Sequence, residues 1–155
     1  GCRVCVWRAA GRGVTLVKPQ TFMNRSGDAL ARFEVVACES LLVVCDDIAL
    51  PLGSLRVRAQ GGAGGHKGLE SIVRRLGTDR FARLRLGVGP APDAGEWSDF
   101  VLRRLEGNEI EQARELIERA ADAVETIVAR GIEEAQMRFN TRRKDRPDGG
   151  EDGKE

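Results

Sequence analysis

The chain has a single histidine, no tyrosine and only 5% aromatic residues across 155 positions. One histidine rules out a histidine-rich metal site, so zinc would depend on cysteine pairs. The four cysteines, Cys2, Cys5, Cys38 and Cys45, offer one close pair, Cys2-x-x-Cys5. That is one pair short of a zinc site and too little for a disulfide framework. On a strand, side chains at that spacing point to opposite faces. Buried free thiols in a reducing cytoplasm are therefore expected, with no metal and no cofactor. No apolar run approaches the ~20 residues of a membrane span, so no membrane partner is expected. No charged start followed by an apolar stretch marks a secretory leader. The chain opens on Gly1-Cys-Arg-Val-Cys-Val, straight into strand-like sequence and without methionine. That reads as a cut N-terminus, with removal of a leader as the other way to reach such a start.

Glycine, by contrast, is abundant and concentrated. The segment Gly61-Gly-Ala-Gly-Gly-His-Lys-Gly68 holds five glycines and the lone His66. It lies between a strand-like run, Ser54–Arg58, and a helix-like run, Leu69–Leu76. Glycine lets the backbone turn tightly and approach a ligand closely, and a loop entering a helix offers N–H groups to an anion. A plain surface connector is the competing reading. The loop has no G-x-G-x-x-G in a strand–turn–helix setting and no Gly-Lys-Ser/Thr ending, which excludes the common dinucleotide and P-loop signatures.

Charge is balanced overall, with 25 Lys and Arg against 24 Asp and Glu, but unevenly placed. Residues 51–90 carry eight basic side chains and two acids, while residues 91–140 carry six and twelve. A basic middle beside a glycine loop points to a phosphate-bearing partner, and a merely solvated face is the alternative.

Periodicity predicts the elements. Residues 2–8 and 13–18 form a candidate hairpin across Ala9–Arg12, closed by Pro19. Ser26 is placed to cap a helix over 27–37, with Asp28 in its first turn. Ser40–Asp46 is an apolar strand of the kind buried on both faces, ending in Asp46-Asp47. Side chains at such strand ends line the crevice of α/β sheets. Residues 54–58 and 83–89 add strands, the latter alternating arginine with apolar residues. After a loop over 89–95 and a short helix over 96–104, Asn108 opens the longest helix, with Glu111 in capping-box position. Its expected apolar stripe runs Ile110, Ala113, Leu116, Ile117, Ala120, Ala121, Val124, Ile127 and Val128, and Gly131 stops it. Further helical turns cover 132–139. The pattern predicts one α/β domain over 1–140, with a mixed, largely parallel central sheet flanked by helices. A charged tail over 141–155 is expected to be disordered.

Four stretches together resemble bacterial peptidyl-tRNA hydrolase: Lys18–Gly27 (KPQTFMNRSG), Val43–Gly53 (VVCDDIALPLG), Gly61–Leu69 and Phe81–Gly89 (FARLRLGVG). Their order and spacing match that family, and the resemblance extends over about residues 1–140. It implies a metal-independent enzyme that cleaves the ester between a peptide and the 3′ ribose of tRNA, recycling tRNA from abandoned translation. It further implies a cytoplasmic monomer that meets peptidyl-tRNA as its partner.

Residue by residue, the resemblance puts Asp46 at the aspartate that orients the catalytic base. Asn24, with Phe22 and Met23 beside it, falls at the substrate-binding motif. His66 and Lys67 fall in the loop flanking the ester, and Arg58 and Arg85 where two basic residues clamp the tRNA 5′ phosphate. The chemistry suits those residue types. A carboxylate fixes an imidazole tautomer, asparagine both donates and accepts, and arginine grips phosphate in bidentate fashion. Taken singly each has a plainer reading: Asp46 as a turn cap, Asn24 as a turn residue, Arg58 and Arg85 as solvated strand residues. Their joint spacing favours the functional one.

The chain departs from the family pattern in three places. The family draws its catalytic histidine from a segment with Asn-Pro-Gly and Thr-Arg-His-Asn, ahead of the strand where this chain begins. The resemblance therefore implies a chain lacking the first strand and the base. Since general-base catalysis contributes ~10²–10⁴-fold, near inactivity is expected. Lys67 stands where many members carry asparagine, and Ala49 where many carry an acid. A catalytically dead RNA-binding module of the same fold is the main alternative, and a gene remnant the weaker one.

Overall fold

The computed structural model describes residues 2–33, 40–89 and 97–140. Strands β1 (Cys2–Ala9) and β2 (Arg12–Pro19) pair antiparallel, with Cys2 opposite Pro19 and Ala9 opposite Arg12. Ala10 and Gly11 make the turn, both at positive φ, which suits the right-handed twist of a hairpin. The hairpin stands largely free: Val4, Val6 and Leu16 are exposed. Cys5 is exposed too and Cys2 half-buried, so the expectation of buried thiols fails for this pair. Cys45 does flank the core, and burial, reinforced by Asp46, raises its thiol pKa to about 11. Cys38 lies outside the described residues.

The next element differs from expectation. A 3-10 helix spans Met23–Arg32, kinked at Arg25, and follows Phe22 without a side-chain cap. Ser26 lies inside it, its hydroxyl donating to the Met23 carbonyl at 2.7 Å. A serine hydroxyl that bonds back along its own helix is not available to cap one. Residues 34–37 of the α-helix expected there lie outside the described residues. Gly27 fixes the position of this helix: its N–H donates to Ser71 Oγ at 3.0 Å, and a Cβ added there would run into the Ser71 carbonyl.

Strands β3 (Leu42–Pro51), β4 (Leu55–Arg58) and β5 (Ala82–Gly89) form a second sheet in the order β3-β5-β4. β3 runs parallel to β5 and β4 antiparallel to it. The sheet is mixed, as expected, with parallel pairing confined to β3–β5 among the described residues. Alternation along β4 and β5 explains the layering. Leu55, Val57 and Leu84 face one side, against Leu116, Ala120, Ala123, Ala135 and Phe139. These come from α3 (Asn108–Arg130) and α4 (Ile132–Phe139). Phe81 faces the other side, against Leu69 and Ile72 of α1 (Lys67–Leu76). The short helix α2 covers Trp97–Leu102.

Two expectations for α3 need correction. Its buried positions are Leu116, Ala120, Ala123 and Thr126, while Ile110 and Ile117 are exposed and Ala121 faces solvent. The buried stripe is narrower and rotated because α3 meets the sheet and α4 along one seam. Thr126 is tolerated there because its hydroxyl donates to the Asp122 carbonyl at 2.8 Å. At its start, Gly107 precedes the helix with no side-chain cap from Asn108 or Glu111. Glu109 supplies the bond instead, accepting from the Glu106 N–H at 3.0 Å and pairing with Arg103.

At the far end, Asn140 finishes the edge of β4. Its Oδ1 accepts from Val57 N–H at 2.7 Å and its Nδ2 donates to the Val57 carbonyl at 2.9 Å. One side chain thus satisfies both backbone groups of a fully buried strand residue, which a further strand would otherwise do.

Candidate active site

The loop Gly61–Gly65 reaches the site through backbone that other residues rarely adopt. Gly61, Gly64 and Gly65 have φ of 147°, 57° and 80°. The loop delivers His66, in extended conformation, to the N-terminus of α1. There the ring caps the helix: Nδ1 accepts from Gly68 N–H at 3.1 Å and from Leu69 N–H at 3.2 Å. Those are the helix N–H groups that an anion would need, so the loop is not an open phosphate cradle. With Nδ1 accepting, the neutral ring carries its proton on Nε2. Nε2 lies 3.1 Å from Asp46 Oδ1, in the middle of β3, which runs on to Pro51 and does not end at Asp46-Asp47 as expected.

This pair is the centre of the site. The His66 hydrogen bond holds the Asp46 carboxyl below its ordinary pKa, against the opposing effect of burial. Asp46 in turn raises the His66 pKa, again against burial. The cap works the other way, because two amides donating to Nδ1 favour the neutral ring.

Gly68 keeps the corner tight. A Cβ there would stand 2.6 Å from Met23 Sδ and 2.9 Å from His66 Cε1, so both side chains close on Gly68. Met23, Asp46 and His66 all line an open cleft of about 2140 Å³ between the hairpin, the 3-10 helix and β3. Its other walls mix apolar residues such as Val43, Leu30 and Ile127 with polar ones such as Arg3, Lys18 and Gln60. Asn24, Phe22 and Lys67 are exposed at its margin and are not part of its lining. Phe22 is 82% exposed, and Lys67 is the first residue of α1.

A second feature occupies the α1 side of the sheet. Arg56 is the strand partner of Arg85, and Arg58 that of Arg83. Four arginines therefore share one face of two neighbouring strands, opposite the face bearing Leu55, Val57 and Leu84. Their states differ. Arg58 is exposed, Arg85 pairs with Asp47 at 2.7 Å, and Arg83 is buried. Asp47 is itself buried and accepts from Ala49 N–H at 3.0 Å.

The family model for peptidyl-tRNA hydrolase matches residues 2–147. The chain belongs to the peptidyl-tRNA hydrolase family. It is 47% identical over 132 residues to the peptidyl-tRNA hydrolase of Rubrobacter xylanophilus, covering 85% of this chain and 72% of that protein. It is 44% identical to that of Chlorobium phaeobacteroides, covering 84% and 70%. Among solved structures, peptidyl-tRNA hydrolase from Acinetobacter baumannii superposes with a TM-score of 0.82 at 31% identity, covering 90% of this chain and 72% of that one.

Within this hydrolase fold, the sequence motifs pointed to Asp46, His66 and Met23, which the structure brings together. Two partnerships escaped the sequence. His66 is the described partner of Asp46, and Asp47 the partner of Arg85. The adjacent Asp46-Asp47 was visible as a motif. Alternation on a strand, which sends the two carboxylates to opposite faces, was the available signal for separating their roles.

Proposed function

We infer that this chain is a peptidyl-tRNA hydrolase, splitting the ester between a peptide and the 3′ oxygen of tRNA. The observation that carries this reading is the Asp46–His66 pair at the head of an open cleft, on a fold shared with enzymes of that name. The reaction needs water delivered to the ester carbonyl, a home for the developing oxyanion and a proton for the departing 3′ oxygen.

Asp46 serves as the orienting carboxylate. Its Oδ1 is engaged by His66, and the residue lines the cleft where water and ester meet. His66 is a positioning group in this arrangement, since both ring nitrogens are already bonded. Acting as a base through Nε2 would require it to release Asp46. Lys67 places an ammonium at the start of α1, where positive charge favours an oxyanion. Met23 and Phe22 offer apolar surface to the peptide, and Asn24 a group that both donates and accepts. Arg58 and Arg85 grip the tRNA 5′ phosphate. Arg85 then shares its guanidinium between Asp47 and the phosphate. The protein acts as a monomer in the cytoplasm and binds peptidyl-tRNA without a metal.

The test is release of an N-blocked amino acid from its tRNA ester by the purified protein. Slow release, only modestly above the buffer rate, is expected, because the chain's one histidine is already bonded at both ring nitrogens and leaves no free imidazole base. Tight tRNA binding without release would contradict the hydrolase reading in favour of an RNA-binding module.

A further inference from the structure

We infer that Arg83 is a positioning residue for the Asp46–His66 pair: its buried guanidinium ties together the two ends of the α1 unit and so places His66 against the sheet that carries Asp46. The inference rests on the reading of that pair as the active centre. Arg83 is only 2% exposed, among the most buried side chains of the molecule. A buried guanidinium is costly unless its donors are satisfied. Here the two terminal nitrogens are directed to backbone, while Nε is buried without a partner. Nη1 donates to the Gly62 carbonyl at 2.9 Å, and Nη2 to the Asp79 carbonyl at 2.8 Å. The cation lies 4.5 Å from the centre of the Phe81 ring, an interaction that offsets part of the cost of burial.

The placement of those two carbonyls gives the contact its meaning. Gly62 lies in the loop leading into α1 and Asp79 in the segment leaving it, with Lys67–Leu76 between them. A guanidinium is planar and its donors have fixed separation, so it sets the distance between entry and exit. Arg83 itself is anchored on β5, where it is the strand partner of Val43 on β3, three residues before Asp46. The loop is thus referenced to the same sheet as the carboxylate. A segment with three glycines at positive φ has little stiffness of its own. It is also held by the turn from His66 N–H to the Ala63 carbonyl at 3.0 Å and by the packing of Ala63 against the Leu69, Ile72 and Phe81 cluster. Lysine would bring one ammonium and could not span both carbonyls in that geometry.

The test compares the wild type with Arg83→Lys and Arg83→Gln. In the wild type, the Arg83 guanidinium protons and the His66 Nε2 proton should both exchange slowly, and the ring should show a single Nε2–H tautomer by nitrogen-15 spectroscopy. In either variant the ring should show mixed tautomers. Amide exchange over Gly62–Gly68 should rise about tenfold or more while β5 stays protected. With N-blocked aminoacyl-tRNA, kcat should fall about tenfold or more with KM changed less than about twofold, because displacing His66 frees Asp46 from its set orientation and leaves the arginine grip intact. Folded variants with the wild-type ring spectrum and kcat would overturn the inference. Solvent-rate exchange of the Arg83 guanidinium in the wild type would overturn it as well, and needs no variant to fold. The ring and exchange measurements do not depend on turnover, so a wild type that fails to hydrolyse would sink the proposed function and leave them to judge Arg83.

Discussion

His66 uses both nitrogens of its ring at once: Nε2 lies 3.1 Å from Asp46 Oδ1, and Nδ1 caps α1 by accepting from Gly68 and Leu69. One imidazole therefore joins the middle of β3 to the start of the helix that follows the glycine loop. This fixes which tautomer is present and which carboxylate oxygen is engaged.

The pair should be visible in titration. Asp46 has a lowered pKa through its bond to His66, so its contribution to stability is present above the ordinary carboxylate value and is lost as pH falls through the lowered one. His66 has a raised pKa through Asp46, so its contribution is complete below the ordinary imidazole value and is lost as pH rises through the raised one. The attraction between carboxylate and imidazolium is therefore complete between about pH 4 and 6.5, and protonation of Nδ1 gives up the two cap hydrogen bonds in exchange. The gain is at most about 1 kcal/mol, because the Asp46 side chain is a third exposed. In Asp46→Asn the His66 pKa, followed by NMR, should drop towards its ordinary value. A His66 titration curve identical to the wild type would show that the two do not interact in solution.

Gly27→Ala should destabilise the protein without touching the reacting groups. The new methyl would meet the Ser71 carbonyl, a backbone atom that cannot swing aside. Overpacking of this kind costs about 1–3 kcal/mol. A thermal melt tests it, and a midpoint within error of wild type would mean that the 3-10 helix does not sit on α1 as described.

Asn140→Ala removes the hydrogen bond to the N–H of the fully buried Val57 and the shorter of two to its carbonyl, which Gln136 Nε2 also reaches at 3.4 Å. Leaving the buried N–H unsatisfied costs about 1–3 kcal/mol. Hydrogen exchange at the Val57 amide should accelerate in the same variant. An unchanged exchange rate would contradict the role of Asn140 as a substitute strand partner.

The residues that sequence motifs could and could not resolve differ for a physical reason. Periods of two and of 3.6 residues are local, so the strands, α1, α3 and α4 were legible from alternation and apolar spacing. The 3-10 helix was not. Ser26 has the chemistry of a cap, and only the hydrogen bond between Gly27 and Ser71, 44 residues away, shows why it lies inside the element instead. Likewise the stripe on α3 is set by what it meets, and the exposure of Ile117 follows from the seam with α4. In the site, types and spacing selected Asp46, His66, Arg58 and Arg85. The partnerships of His66 with Asp46, Arg85 with Asp47, and Arg83 with Gly62 and Asp79 bridge separate segments and leave no local trace.

The two proposed phosphate ligands should separate in their behaviour. Arg58 is exposed, so Arg58→Ala should leave stability within about 0.5 kcal/mol. It should also reduce the slope of log affinity for tRNA against log salt by about 0.7–0.9 for each phosphate that Arg58 neutralises. Arg85→Ala should reduce the slope and also destabilise by about 1–3 kcal/mol, because it leaves Asp47 buried without its cation. Salt-dependent binding and thermal melts of both variants check this. An unchanged slope in both would remove the phosphate clamp.

The most direct test of the central claim is single-turnover release of an N-blocked amino acid from its tRNA by the wild type and by Asp46→Asn, with tRNA affinity measured on the same samples. The bond from Asp46 to His66 predicts a rate about tenfold or more lower in Asp46→Asn, with tRNA affinity unchanged because Arg58 and Arg85 are intact. Equal rates for the two proteins would contradict the assignment of Asp46 to the reaction.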